Sequence, residues 1–408
     1  MLEFRQQAPI ANQTTNWNTI LAFAAVAVST QLLWVTFTPI TTESARLLGV
    51  SEGAVGWLSE VFPLVYVVLA IPFGLITDRW FRPSLVLGTL LTFIGAALRI
   101  QGHFTFILIG QLVTSVGQPL ILNAINKTAV VYAAPNKQTV AISVSSASLF
   151  LGILLAMLSG PIILGQFGMS GLLYAQAAFA VATGIWLLSA LFASRRFVHV
   201  DNPLHLPVQH SRNQQTSLRQ VWARREIRQL CFLLFIGFGL FIALTTWLQV
   251  LLAPKRIDAV EVGIALALMT AAGMIGAAIV PDWAIRRKKA KMMILASLIA
   301  SIAASLYILI GLPFWLMTSL LVIAGFLLLA DLPVVLTISE LIAEPEQAGT
   351  VNALLMLFGN AGGIVLALLV QGLIASTTAA VAVLLVGALA AIPFASRFPA
   401  YTDRSSTS

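Results

Sequence analysis

The stretch GLITDRWFR, Gly74 to Arg82, sets one acid and two arginines between long apolar runs. Before it, Ala54 to Thr77 carries a single charge, Glu60; after it, Ser84 to Gln101 carries only Arg99. Each run approaches the roughly 20 residues that a helix needs to cross a hydrocarbon core of about 30 Å. The charged stretch therefore reads as a short polar turn between two membrane-spanning helices.

The same alternation fills the chain. Of 408 residues 59% are hydrophobic and only 9% charged, against roughly a quarter in a soluble domain. The predicted fold is an all-α membrane protein, because a transmembrane barrel would alternate in much shorter segments. Windows of about 19 residues place spans at Asn18 to Ile40, Ala54 to Thr77, Ser84 to Gln101, Phe104 to Ala133, Thr139 to Leu164 and Gly171 to Ala193. Six more follow at Gln229 to Leu252, Val260 to Pro281, Ala290 to Leu312, Phe314 to Leu341, Ala348 to Ile374 and Thr378 to Phe394. No small-residue cleavage site follows the first apolar run, so that run is expected to stay as a span.

One cysteine, Cys231, excludes an internal disulfide, and no Cys/His cluster has metal-ligand spacing. No metal and no cofactor is expected. The net charge of +8 reads as topology rather than nucleic-acid binding. Arg79, Arg82, Lys137, Arg195, Arg196, Arg286 to Lys289, Lys291 and Arg397 fall on one face, and only Arg46, Lys255 and Arg256 on the other. By the positive-inside rule both termini are expected to be cytoplasmic in a multi-pass protein of the cell membrane.

The one sizeable polar break divides the chain into residues 1–194, a cytoplasmic linker 195–228 and residues 229–408. Within the linker Ser217 and Gln220 have capping-box spacing. They open SLRQVWARREIRQL, whose Leu218, Val221, Trp222 and Ile227 alternate with arginines at helical spacing. A short helix on the membrane surface and an unstructured solvated linker both fit.

Between the eighth and ninth spans stands VPDWAIRRKKAK, Val280 to Lys291, again an acid, an aromatic and then basic residues. Asp282 follows Asp78 by 204 residues, half the chain. Each half has six spans and each acid closes the second, so a duplication is the economical explanation.

GLITDRWFR resembles the loop motif of the major facilitator superfamily, Gly-x-x-x-Asp-Arg-x-x-Arg, through Gly74, Asp78, Arg79 and Arg82. The resemblance implies two bundles of six helices with substrate bound between them near the midplane. An ionised Asp78 at the membrane edge is costly unless paired, and the positive N-terminus of a helix in the opposite bundle can supply the partner while that side is closed. Gly74 is expected to allow close helix approach, and Arg79 and Arg82 to hold the loop at the anionic leaflet. Lys127, Asp282 and Glu340, near the same face, complete the predicted gate. A plain polar turn is the alternative.

Polar residues inside spans are the default functional candidates. The first span offers Thr30, Gln31 and Trp34, the last able to hold a cation against its indole face. The fourth carries a polar stripe including Gln111, Gln118 and Asn123. The second half offers Trp247 and Gln249 in the seventh span and Asn352 and Asn360 in the eleventh. Glu60 either pairs with Arg99 or faces the cavity as a proton carrier. Asp331 precedes Pro333 and either binds a cation or proton or bonds a neighbouring helix.

Several stretches resemble the branch that contains the feline leukaemia virus subgroup C receptor: GVSEGAVGWLSEVFPLVY (Gly49 to Tyr66), GQLVTSVGQPLIL (Gly110 to Leu122) and ELIAEPEQAGTVNALL (Glu340 to Leu355). That branch transports choline-like cations and has been linked to haem. Trp34 matches its first-span tryptophan and Asn360 stands where it has a glutamine. Phe150 and Ile242 replace a glutamine and a tyrosine. Together these readings predict a monomeric secondary or facilitative transporter of a small organic solute, cationic or amine-containing, with protons or another ion as candidate coupling partners. Drug or metabolite efflux by proton antiport, a non-transporting receptor and a membrane enzyme are the rivals. No phosphate-binding loop or catalytic constellation supports the last.

Overall fold

The computed structural model describes residues 14–194, 220–255, 257–310, 313–342 and 348–397; the side chains of Asp78, Thr139, Glu340 and residues 348–350, 352 and 353 lie outside the description. The helices are α1 (Trp17–Trp34), α2 (Thr41–Leu48), α3 (Glu52–Arg79), α4 (Phe81–Arg99), α5 (Phe104–Leu122), α6 (Ile125–Tyr132) and α7 (Gln138–Ala193). They continue as α8 (Arg225–Leu252), α9 (Ala259–Arg286), α10 (Ala290–Ile310), α11 (Phe314–Ile342), α12 (Ala348–Gly372) and α13 (Thr377–Ser396). Among the described residues eleven helical stretches are long and apolar enough to span a membrane. One of them contains two spans, because Gly168 with φ 68° breaks α7 into successive helices.

Local signals set the starts. The Asn16 side chain caps α1 by accepting from the Thr19 amide, Ser51 caps α3, and Asp258 with Glu261 forms a capping box on α9. The fourth span, expected unbroken from Phe104 to Ala133, is two helices. Pro119 cannot donate to the preceding turn, and the chain leaves the helix at Asn123 and Ala124 before α6 resumes.

Helices pack at backbone contact where they carry glycine. A Cβ at Gly152 of α7 would lie 2.3 Å from the Val28 carbonyl of α1; one at Gly362 of α12 would lie 1.9 Å from the Phe235 carbonyl of α8. The first and fifth spans of one half thus meet as do the seventh and eleventh of the other. Gly74 is different. A Cβ there would make only ordinary contact, 3.5 Å from Asn123, so helix approach does not demand glycine at that position.

The linker end does not lie free on the membrane. Val221 is fully buried, Trp222 stacks on Phe358 of α12 with centroids 5.2 Å apart, and Arg224 donates to the Ile342 carbonyl. Ser217 and Leu218 lie outside the described residues, and α8 already begins at Arg225.

Candidate substrate site and gate

The two halves meet along a seam formed by the end of α1, the Thr38–Ile40 turn, α2, α3 and α7 on one side and α8, α9 and α12 on the other. The face bearing Trp80 and Lys288 is the corner face; the opposite one is the far face. Among the described residues, three hydrogen bonds cross the seam. The Thr42 amide donates to Gln249 Oε1 at 2.8 Å, Gln371 Nε2 donates to the Gly53 carbonyl at 2.9 Å, and Thr270 reaches Met157 Sδ at 3.7 Å. The first two belong to the far face. There Trp247, fully buried, lies against Gly56 so closely that a Cβ on Gly56 would sit 2.2 Å from the indole ring. Gly263 likewise admits the Met157 carbonyl, which a Cβ would meet at 2.3 Å. At this face the halves are in close contact, an indole against Gly56 and a backbone carbonyl against Gly263, and a larger residue at either position would collide.

Beneath these contacts, Trp34, Thr38, Ser59, Met157, Ile242 and Thr246 line a pocket of about 30 Å³, with Thr245 and Thr270 beside them. One local cause orients Trp34. Pro63 has no N–H, so the Ser59 carbonyl four residues earlier lacks its helical donor, and the Trp34 indole N–H fills that role at 3.0 Å. The ring stacks near Phe62, centroids 6.4 Å apart, and Trp34 lines the pocket.

The other expected site residues take different places. Thr30 is fully buried and donates to the Ala27 carbonyl, and Gln31 packs beside Gly152 in the contact of α1 with α7. Gln111 donates to the Leu33 and Leu58 carbonyls at 3.1 and 2.9 Å, tying α5 to α1 and α3. Asn123 donates to the Ala70 carbonyl at 2.9 Å, and Gln118 is buried and is not among the residues that line the pocket. Trp247 and Gln249 make the far-face contacts with Gly56 and the Thr42 amide. Asn360 bonds its own helix at the Met356 carbonyl, and the Asn352 side chain lies outside the described residues. The pocket threonines carried no sequence signal beyond being polar in a span.

The expected Glu60–Arg99 pair is not formed. Arg99 is fully buried and donates to Thr36 Oγ1 at 3.0 Å and Gln176 Oε1 at 2.9 Å, with its guanidinium over Phe37. Gln176, from the second part of α7, takes the place given to the acid. Glu60 follows Gly53 and Gly56 at helical spacing on the seam face of α3. It is 2% exposed, and neither carboxylate oxygen has a hydrogen-bond partner among the described residues. Asp331 accepts a hydrogen bond from Ser297 of α10, while its second oxygen has no partner among the described residues; Gly237 of α8 stands opposite.

At the corner face Lys127 donates to the Thr77 carbonyl and lies 5.6 Å from the Phe81 ring. The side chains of Asp78 and Glu340, to which the expected gate assigns its acids, lie outside the described residues. Arg82 does not reach for the leaflet: it turns inward and donates to the Ser194 carbonyl at 2.8 Å, whereas exposed Arg79 lies over Trp80. Asp282 sits more than a turn before the end of α9 and pairs at 2.6 Å with Arg286, both side chains exposed.

Solute carrier family 49 member A3 of Danio rerio is 27% identical over 291 residues, covering 67% of this chain and 60% of that protein. The chain thus spans somewhat over half the length of that relative. The choline/ethanolamine transporter FLVCR2 of Homo sapiens is 24% identical over 377 residues, 86% of this chain and 70% of that protein. Among solved structures, a point mutant of the nucleoside transporter NupG matches with TM-score 0.73 at 15% identity, covering 93% of this chain and 98% of the other. A bacterial homolog of the human lysosomal transporter Spinster, inward-facing and unoccupied, matches with TM-score 0.68 at 17% identity, covering 93% and 94%. The Major Facilitator Superfamily model matches residues 19–367. With twelve spans in two six-helix bundles, a seam between them and this match over most of its length, the chain belongs to the Major Facilitator Superfamily and is a membrane transporter rather than an enzyme.

Proposed function

We propose that the chain is a secondary or facilitative transporter of a small organic solute, cationic or amine-containing, working by alternating access between residues 1–194 and 229–408. The observation that carries this reading is Trp34, whose N–H is held by the Ser59 carbonyl and which lines the pocket between the two halves. An indole face in a desolvated site attracts organic cations. Glu60, adjacent to Ser59, buried at the seam and without a partner, needs a positive charge nearby, either the solute or a proton. A pocket of about 30 Å³ holds little more than one water. Solute entry therefore requires the halves to part. The names of the choline/ethanolamine relatives accord with this chemistry.

Glu60 and Asp331 are the coupling candidates. The basic residues of the corner face support a cytoplasmic assignment for that face and for both termini in the cell membrane. Asp78, Lys127 and Glu340 are proposed as the latch that closes it in the opposite state.

The test is flux in liposomes loaded with choline, ethanolamine, other small amines and organic anions. Amines should move without chemical change. Trp34→Ala should lower that flux roughly tenfold or more, as loss of about 2 kcal/mol of cation–π attraction implies. Flux of anions alone would overturn the reading. In the same assay Lys127→Glu should abolish cycling, and intact flux in that variant would exclude the latch.

A further inference from the structure

Two grooves lie side by side on the membrane-facing surface of the second half, at the corner face. The first, about 540 Å³, runs between α9, α10 and α11 and is floored by Ile279, Trp283, Met292, Ala296 and Phe326. The second, about 470 Å³, lies across α10 and is lined by Leu295 and Ile299 with Lys288, Lys289 and Lys291 at its mouth. Met292 and Ala296 line both, so the grooves straddle one ridge of α10. Each volume is within the roughly 300–1,000 Å³ of ligand pockets. From Arg286 to Ile279 the first groove penetrates about 10 Å along α9 at 1.5 Å per residue.

The charge above the grooves is concentrated and unspent. Arg286, Arg287, Lys288, Lys289 and Lys291 are all exposed, and the one acid between residues 282 and 291 is Asp282, which Arg286 engages. Trp283, 43% exposed, lies under Lys289 with the ammonium 5.6 Å from the ring centroid, an arrangement suited to the headgroup level. The turn is a Schellman motif: the Lys289 amide bonds the Ala284 carbonyl and the Lys288 amide the Ile285 carbonyl. Its left-handed position, normally glycine, is Lys288 with φ 54°. A cation stands where backbone geometry favours no side chain.

We propose that this surface is a binding site for an anionic glycerophospholipid of the corner-face leaflet. Its two acyl chains lie in the two grooves on either side of Met292 and Ala296, and its phosphate is held by Lys288, Lys289 and Lys291. Charge complementarity selects the headgroup, because a zwitterionic lipid brings no net charge to a cluster of this sign. The twin apolar grooves select a two-chain lipid over a soluble anion.

The experiment uses the full chain purified in detergent, exchanged into micelles containing dioleoylphosphatidylglycerol or dioleoylphosphatidylcholine at equal mole fraction. Thermal midpoint and lipid retained through gel filtration are both read. Phosphatidylglycerol should raise the midpoint more than phosphatidylcholine and should be retained saturably. Lys288→Gln/Lys289→Gln/Lys291→Gln should lose that excess and keep the phosphatidylcholine response. Ala296→Trp, which fills the shared floor and leaves every charge in place, should also lose the excess. Should the triple variant not fold, Lys289→Gln alone should weaken retention severalfold. Equal responses to the two lipids, or an undiminished excess in the variants, would overturn the proposal. So would an equal shift from inorganic phosphate or glycerol 3-phosphate, which would assign the cluster to a soluble anion.

Discussion

At the Trp80 corner the chain turns from α3 to α4 in one residue and sends side chains inward. Phe81 is buried beside Tyr132, Lys127 lies over its ring, and Arg82 bonds Ser194, whose hydroxyl in turn meets Asn16 and Thr19. At the corresponding corner of the second half Arg287, Lys288 and Lys289 separate α9 from α10, and every charged side chain faces outward. One repeat has become a fastening within its bundle. The other has become a charged rim above apolar grooves. The difference teaches that a duplicated motif transmits its place in the fold more faithfully than its partners, because a polar turn at a membrane edge is satisfied equally by a neighbouring helix or by water and headgroups.

The contrast is most easily broken at Phe81. If the first corner is a fastening, Phe81→Ala should lower stability by about 3 kcal/mol, the usual cost of emptying a buried aromatic site, read as a fall in thermal midpoint in detergent. A change near zero would make the two corners alike. Arg82→Gln should be smaller, about 2 kcal/mol for a lost charged hydrogen bond to the Ser194 carbonyl, and should leave lipid retention unchanged. A variant of Arg82 that lost lipid retention instead would return this arginine to the leaflet. The smallest effect has the opposite sign: Lys288→Gly should raise stability by about 1 kcal/mol, because glycine adopts the left-handed turn without the Cβ penalty. The same substitution should weaken phosphatidylglycerol retention, so stability and lipid binding move apart at one residue.

Much of the architecture was legible because the membrane leaves few alternatives. Apolar runs of sufficient length must be helices, and the polar break with the echo of Asp78 at Asp282 divided them into two sets of six. The break in the fourth span was visible in principle at Pro119, yet proline is tolerated in membrane helices and does not announce which residue leaves the helix. The site was legible in part. Trp34 stood out as an aromatic deep in a span, whereas Gln111, Asn123 and Gln249 stood out for their polarity and proved to bind backbone groups of other helices. A buried amide requires a partner, but its sequence does not say whether that partner is a carbonyl across the helix contact or a solute in a cavity. Glu60 and Arg99 sat at one level in adjacent spans and suggested a pair; Gln176 and Thr36, from helices distant in sequence, reached the guanidinium instead.

By itself the sequence determined that this chain carries enough apolar runs for twelve spans, with a similar acid-and-basic turn in each half. Hydrophobic length, periodicity and charge count are local properties, and the bilayer acts on them directly. Only the tertiary structure decided which glycines admit close contact between the halves and that the Ser59 carbonyl fixes Trp34. It also decided that Glu60 lies unpaired at the seam and that one corner turns inward while its echo turns out. Those outcomes depend on which helix faces which, and hydrogen-bond partners, close backbone approach and groove shape exist only once the helices have packed.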